Sequence, residues 1–146
     1  MKKLQSISLK NYQLANLCKW LNIPLHGEEA RARNQFIKLV QPNLTEYDNK
    51  RLDKARNLSK KDDRGKVLLK ESEVNGVKVK EFDLTDENRV EFDSFMIELN
   101  NHQCVYAYEK EFDIIKKILL EDISKLTFDV YAGQIYDEIC TTFEKL

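Results

Sequence analysis

Turn-forming residues are scarce. Four glycines and two prolines in 146 residues leave too little material for the many tight turns of a β-sandwich or barrel, so long helices are expected. Cysteine is nearly absent as well: Cys18, Cys104 and Cys140 are odd in number, far apart and set in apolar patterns. They read as reduced, buried thiols of a reducing compartment, not as a disulfide framework. No Cys-x-x-Cys pair exists to hold a structural zinc ion. His102 with Cys104 is the one close combination, with His26 and Cys18 as remote helpers, and no metal or other cofactor is expected. Apolar runs such as Ile118-Leu119-Leu120 fall far short of the ~18 residues of a membrane span. Met1-Lys2-Lys3 starts the chain with charge, but Gln5, Ser6, Ser8, Lys10 and Asn11 interrupt the apolar stretch an export signal needs. Gly27, Gly65, Gly76 and Gly133 stand alone, so no glycine-rich phosphate loop is present.

What the chain does contain is enough for one core. Hydrophobic residues make up 42 % and charged residues 34 %, the latter above the usual ~25 %, which describes a single, highly solvated domain. The net charge of −1 hides an asymmetry. Residues 1–66 hold 15 Lys and Arg against 7 Asp and Glu, whereas residues 67–146 hold 9 against 18. Two arrangements follow from such a chain: the portions attract one another within the fold, or they show faces of opposite sign to partners. The first is preferred, with a basic helical part at about 1–62 and an acidic α+β part at about 66–146.

Leu14, Leu17, Cys18 and Leu21 share one helix face, which Pro24 and Gly27 end. A second helix is expected from Glu28 to Val40, stopped or kinked at Pro42, and a third, thinly apolar one from Asn43 to about Lys61. The period then changes. Val67-Leu68-Leu69 and Val77-Lys78-Val79-Lys80 flank Asn75-Gly76, the strongest short-range hairpin signal. Thr85 offers a helix cap ahead of the stripe Phe92, Phe95, Met96 and Leu99. Residues 104–108 suit a third strand. Phe112, Ile115, Ile118 and Leu119 mark a further helix, and Ala132, Ile135, Tyr136, Ile139, Cys140 and Phe143 a last one capped by Asp129. The fold class is α+β: about five helices with a small antiparallel hairpin.

No constellation announces a chemistry. Glu73, Glu81, Lys78 and Lys80 around the hairpin imitate a two-metal nuclease only loosely. Arg31, Arg33, Lys38, Lys50, Arg51, Lys54, Arg56, Lys60 and Lys61 form a candidate phosphate-binding stripe, but an isoelectric point near 6.2 and the acidic portion oppose it. Arg33 shares a face with Ala30 and Ile37, where a guanidinium is costly unless paired, so it is expected at a carboxylate of the acidic portion. Arg31 and Lys38 are the basic candidates for contacts outside the core.

Three stretches carry a resemblance: Asn11-Tyr12-x-Leu14-Ala15-Asn16-Leu17 with Leu21; Gly27-x-x-Ala30-Arg31-Ala32-Arg33-x-x-Phe36-Ile37-Lys38-Leu39; and Ile135-Tyr136-Asp137-Glu138-Ile139-Cys140-x-x-Phe143. Together they resemble a group of small uncharacterised proteins encoded by tailed phages and prophages of Gram-positive bacteria. The resemblance implies expression inside a bacterial host. The expected function is a non-catalytic factor in the host cytoplasm that occupies a surface of a host protein, a defence enzyme being one candidate. Its acidic docking residues would be Asp83, Asp86, Glu87, Glu91, Asp93, Glu109, Glu111 and Asp113, mating with a basic groove. The alternatives are a homo-oligomeric virion or tail-assembly accessory and, behind it, a nucleic-acid-binding protein or nuclease.

Overall fold

The computed structural model describes residues 5–146; Met1, Lys2 and Lys3, used above in the argument on export, lie outside them. In chain order the elements are β1 (Ser6–Lys10), α1 (Asn11–Trp20), α2 (Gly27–Leu58), β2 (Leu69–Val74), β3 (Val77–Phe82), α3 (Asp86–Asn101), β4 (Gln103–Ala107), α4 (Glu111–Glu121) and α5 (Val130–Glu144), with a 3-10 turn at Ile123–Lys125. Five helices and two antiparallel sheets of two strands each make the fold α+β and mostly helical. Backbone contacts group the described residues up to Thr45 with Asn100–Leu146 as a first unit, and Glu46–Leu99 as a second.

In the first unit β1 pairs with β4, bringing Ile7 opposite Tyr106 and Leu9 opposite Cys104. All four side chains are buried, while Ser6 and Ser8 alternate to the other face as the period of two requires. The ladder continues at both ends, Tyr108 N–H donating to Gln5 O at 2.8 Å and Asn11 N–H to His102 O at 3.0 Å. The Lys10 N–H then donates to Gln13 Oε1 at 2.9 Å, which satisfies a donor at the entry to α1. Leu14, Leu17 and Leu21 meet Phe36 and Val40 of α2, four residues of α4, and Ile135, Ile139 and Phe143 of α5 in one buried cluster. Phe112 sits edge-on between Phe36 and Phe143, with centroids 5.9 and 6.5 Å away. Trp20 lies edge-on to both Phe128 and Tyr136, at 5.0 and 6.1 Å, which stack on each other at 5.0 Å.

Pro42 does not break the helix. The two segments expected on either side of it are one continuous α2 of 32 residues. Proline inside a helix lacks the N–H that the Lys38 carbonyl would accept and costs about 3 kcal/mol. Tertiary anchors on both sides oppose that cost: Val40 is fully buried, and the Tyr106 hydroxyl donates to Asn43 Oδ1 at 2.6 Å.

The second unit has little core. Ala55, Leu84 and Leu99 are its buried hydrophobic residues, with Ser59 beside them. Asn75 and Gly76, at φ 52° and 79°, form the expected tight turn between β2 and β3. Opposite charges face one another across the strands at Lys70–Glu81, Glu71–Lys80 and Glu73–Lys78, a pattern that favours this register over a slipped one. Backbone bonds from Lys60 N–H to Asp83 O (2.7 Å), Leu68 N–H to Lys60 O (2.8 Å) and Asp83 N–H to Leu68 O (3.1 Å) tie the hairpin base to the chain that leaves α2. The carbonyls at the end of α2 are well served. Lys61 Nζ donates to those of Arg56, Asn57 and Ser59 within 3.3 Å, and Asn88 Nδ2 to that of Leu58 at 2.8 Å, as a cation at a helix C-terminus should.

Both units draw on both charge portions. Among the described residues the first combines 5–45, with 5 basic and 2 acidic side chains, and 100–146, with 5 and 9; the second combines 46–66, with 8 and 5, and 67–99, with 4 and 9. Folding thus cancels most of the asymmetry seen along the chain.

Candidate protein-docking surfaces

Four ion pairs between described residues all fall in the second unit, and they sort its acids into two sets. Asp83 Oδ1 lies 3.6 Å from Lys60 Nζ, and Glu91 Oε1 lies 3.2 Å from Lys54 Nζ, which also sits 5.4 Å from the centre of the Phe95 ring. Lys50 meets Glu46 at 2.8 Å and Arg56 meets Asp53 at 3.8 Å. Together with Lys61 on its helix-end carbonyls, most of the supposed phosphate-binding stripe is engaged within the fold.

Asp86, Glu87 and Asp93 belong to the other set: they are exposed, and none of the four ion pairs between described residues includes them. Thr85 Oγ1 caps α3 by accepting from Asn88 N–H at 3.1 Å. Asp86 and Glu87 stand in the first turn, where the helix dipole favours carboxylates. Asp93 has no such role. At 100° per residue, positions 86, 90, 93 and 97 share about 60° of the helix circumference, opposite Phe92, Phe95 and Leu99. That outer stripe carries two large aliphatic side chains, Val90 at 67 % and Ile97 at 64 % exposure. Reading for the buried stripe passed over both, although their spacing of seven residues was visible.

In the first unit the structure brings Arg31, Glu109 and Glu111 to one groove between α2 and the start of α4. One part, about 420 Å³, is lined by Glu28, Arg31, Ala32, Gln35, Lys110, Glu111 and Ile114. An adjoining part of about 300 Å³ adds Phe36, Leu39, Glu109 and Phe112. The rim mixes both signs. Lys38 does not line it, and Asp113 accepts a hydrogen bond from the Tyr108 hydroxyl, which holds that phenol above its ordinary pKa.

Arg33 corrects an expectation. Instead of a carboxylate it finds the carbonyl oxygens of Leu21 and Ile23, to which Nη1 donates at 3.2 and 2.7 Å, while Nε donates to Asn34 Oδ1 at 3.3 Å. A guanidinium seeks acceptors, and the C-cap of α1 and the turn after it supply them.

Glu73 and Glu81 lie on opposite faces of the hairpin, because Glu73 pairs with Lys78 and Glu81 with Lys70 in a register of period two, so they do not converge on one ion. Among the described residues no group of three or more His, Cys, Asp or Glu is placed to hold a metal. No cysteine is in a disulfide. Burial pushes the Cys18 thiol up to about 11 and raises that of Cys140, the opposite of what activates a nucleophile. Tyr12 Oη donates to Glu138 Oε2 at 2.5 Å, and Gln13 Nε2 to the same oxygen at 3.1 Å. Burial and the bond to Glu138 push Tyr12 up to about 12, and that same bond lowers Glu138. No described helix is long and apolar enough to cross a membrane. Comparison with protein-family models, with curated proteins and with solved structures gives no match to this chain.

Proposed function

We propose that this chain is a non-catalytic, protein-binding factor of phage or prophage origin that acts in the host cytoplasm by occupying a basic surface of a host protein. The single observation that carries the reading is the acid left over on α3. Asp83 and Glu91 are taken up by Lys60 and Lys54, whereas Asp86, Glu87 and Asp93 stay exposed on a helix that carries five acidic side chains against one basic residue, the half-buried Arg89. Such a surface attracts a basic groove and speeds encounter with it. Host proteins that bind nucleic acid, defence enzymes among them, present grooves of that sign. The phage origin rests on the resemblance of the three stretches in α1, α2 and α5.

The test is affinity capture. The full chain is immobilised in lysate of a Gram-positive host, and retained proteins are identified by mass spectrometry beside an Asp86→Lys/Asp93→Lys variant. A host protein retained by the natural chain and lost from the variant supports the reading. Equal retention by both contradicts it.

A further inference from the structure

We infer that α3 docks as a preformed helix, with Val90 and Ile97 packed into the lysine- and arginine-flanked apolar stripe of a helix on the partner protein. This rests on the protein-binding reading and adds to it the mode of contact and the chemistry of the matching surface.

The starting point is the pair of aliphatic side chains. Val90 and Ile97 are 67 % and 64 % exposed on a helix whose other face is packed, and seven residues place them about 10 Å apart, two turns along one side. Two aliphatic anchors at this spacing form the seam that helix-on-helix recognition uses. Their surroundings select the partner's charge. Asp86 and Asp93 are exposed on the stripe, with exposed Glu87 and Glu98 farther round on one side and half-buried Arg89 on the other, so acid outnumbers base four to one there; Glu91, nearer the inner side of α3, is paired with Lys54. A nucleic acid or an anionic membrane would be repelled by this face. A second copy of α3 would bring aspartate to aspartate. A basic amphipathic helix satisfies both features, its apolar stripe covering Val90 and Ile97 and its flanking cations meeting the carboxylates. The mixed-charge groove between α2 and α4 offers no such selection.

A fluorescein-labelled synthetic peptide serves as the probe: three heptads with Leu at the two seam positions and Lys or Arg at the remaining ones. A counterpart carries Glu in place of every cation. Binding to the full chain is read by anisotropy at several salt concentrations, for the natural chain, Val90→Ser/Ile97→Ser and Asp86→Lys/Asp93→Lys, with circular dichroism confirming unchanged helix content in these surface variants. The natural chain is expected to bind the basic peptide and not its counterpart. The serine variant should weaken binding about tenfold or more with the salt dependence kept, and the lysine variant should weaken it and flatten the salt dependence. Serine substitution that leaves affinity unchanged, while charge reversal abolishes it, overturns helix docking and leaves the acidic-surface reading standing. No binding of the basic peptide overturns helix docking as well, and charge-sensitive capture of a host protein then separately upholds the broader reading. Affinity unmoved by either variant overturns helix docking and counts against the α3 surface altogether.

Discussion

The two units of this chain are held together by different physics. The first buries an aromatic and aliphatic cluster on four helices and a two-stranded sheet, and its polar ties are hydrogen bonds such as those of Arg33 to the end of α1 and of Tyr12 to Glu138. The second buries Ala55, Leu84 and Leu99, and relies on ion pairs, cross-strand charge register and capped helix ends. Burial of apolar area is the larger stabilising effect, whereas exposed ion pairs contribute little each. A segment that uses its charges mainly for register and helix ends keeps acid on its surface. The proposed docking surface therefore falls in Glu46–Leu99 and not in the better packed unit.

The largest effect that sharpens the contrast comes from the core. Phe112→Ala removes a ring packed between Phe36 and Phe143 and should cost about 3–5 kcal/mol, read as a lower denaturation midpoint; a loss below about 1 kcal/mol would remove the distinction between the units. Next is Arg33→Met, which leaves the Leu21 and Ile23 carbonyls without their charged donor. A loss of about 1.5–3 kcal/mol is expected, and a neutral substitution would show that water replaces the guanidinium.

Acidity provides the third test. The Glu138 carboxyl is lowered by the Tyr12 hydroxyl, so the folded chain holds this proton less tightly than the unfolded chain does. Its contribution to stability is present above the ordinary carboxylate pKa and is lost as pH falls through the lowered one. Tyr12, pushed up to about 12, contributes below pH 10 and loses that contribution as pH rises toward 12. Denaturant titrations across pH should show both limbs shrinking in Glu138→Gln. The smallest effect is expected for the pair of the second unit: a double-mutant cycle on Lys54 and Glu91 should give below about 1 kcal/mol, diminishing with salt. A coupling several times larger would mean that ion pairs, not packing, set the stability of that unit.

Local signals in the sequence were read well where neighbours settle the outcome. Asn75-Gly76 turns the hairpin, Thr85 and Asp129 cap their helices through Asn88 N–H and Ala132 N–H, and the stripe of α5 is buried where its period placed it. What escaped depends on distant partners. β1 has only Ile7 and Leu9 as apolar residues in five, and its mate β4 begins more than ninety residues later, so its alternation looked like an interrupted leader. Pro42 was read by its local cost, which buried Val40 and the Tyr106 bond to Asn43 override. Arg33 is expected at a carboxylate and instead meets the carbonyls of Leu21 and Ile23, because charge counting does not see a backbone acceptor. Val90 and Ile97 lie on the side of α3 opposite Phe92, Phe95, Met96 and Leu99, of which Leu99 is buried and the others half-buried, so the apolar stripe gives no sign of them.

Hydrogen–deuterium exchange of the full chain, with and without the basic amphipathic peptide, sets the two surfaces against each other in one measurement. If α3 is the docking helix, added protection appears across residues 86–98 and none along 28–39 or 109–114. Protection confined to the groove between α2 and α4, or found nowhere, would contradict that role.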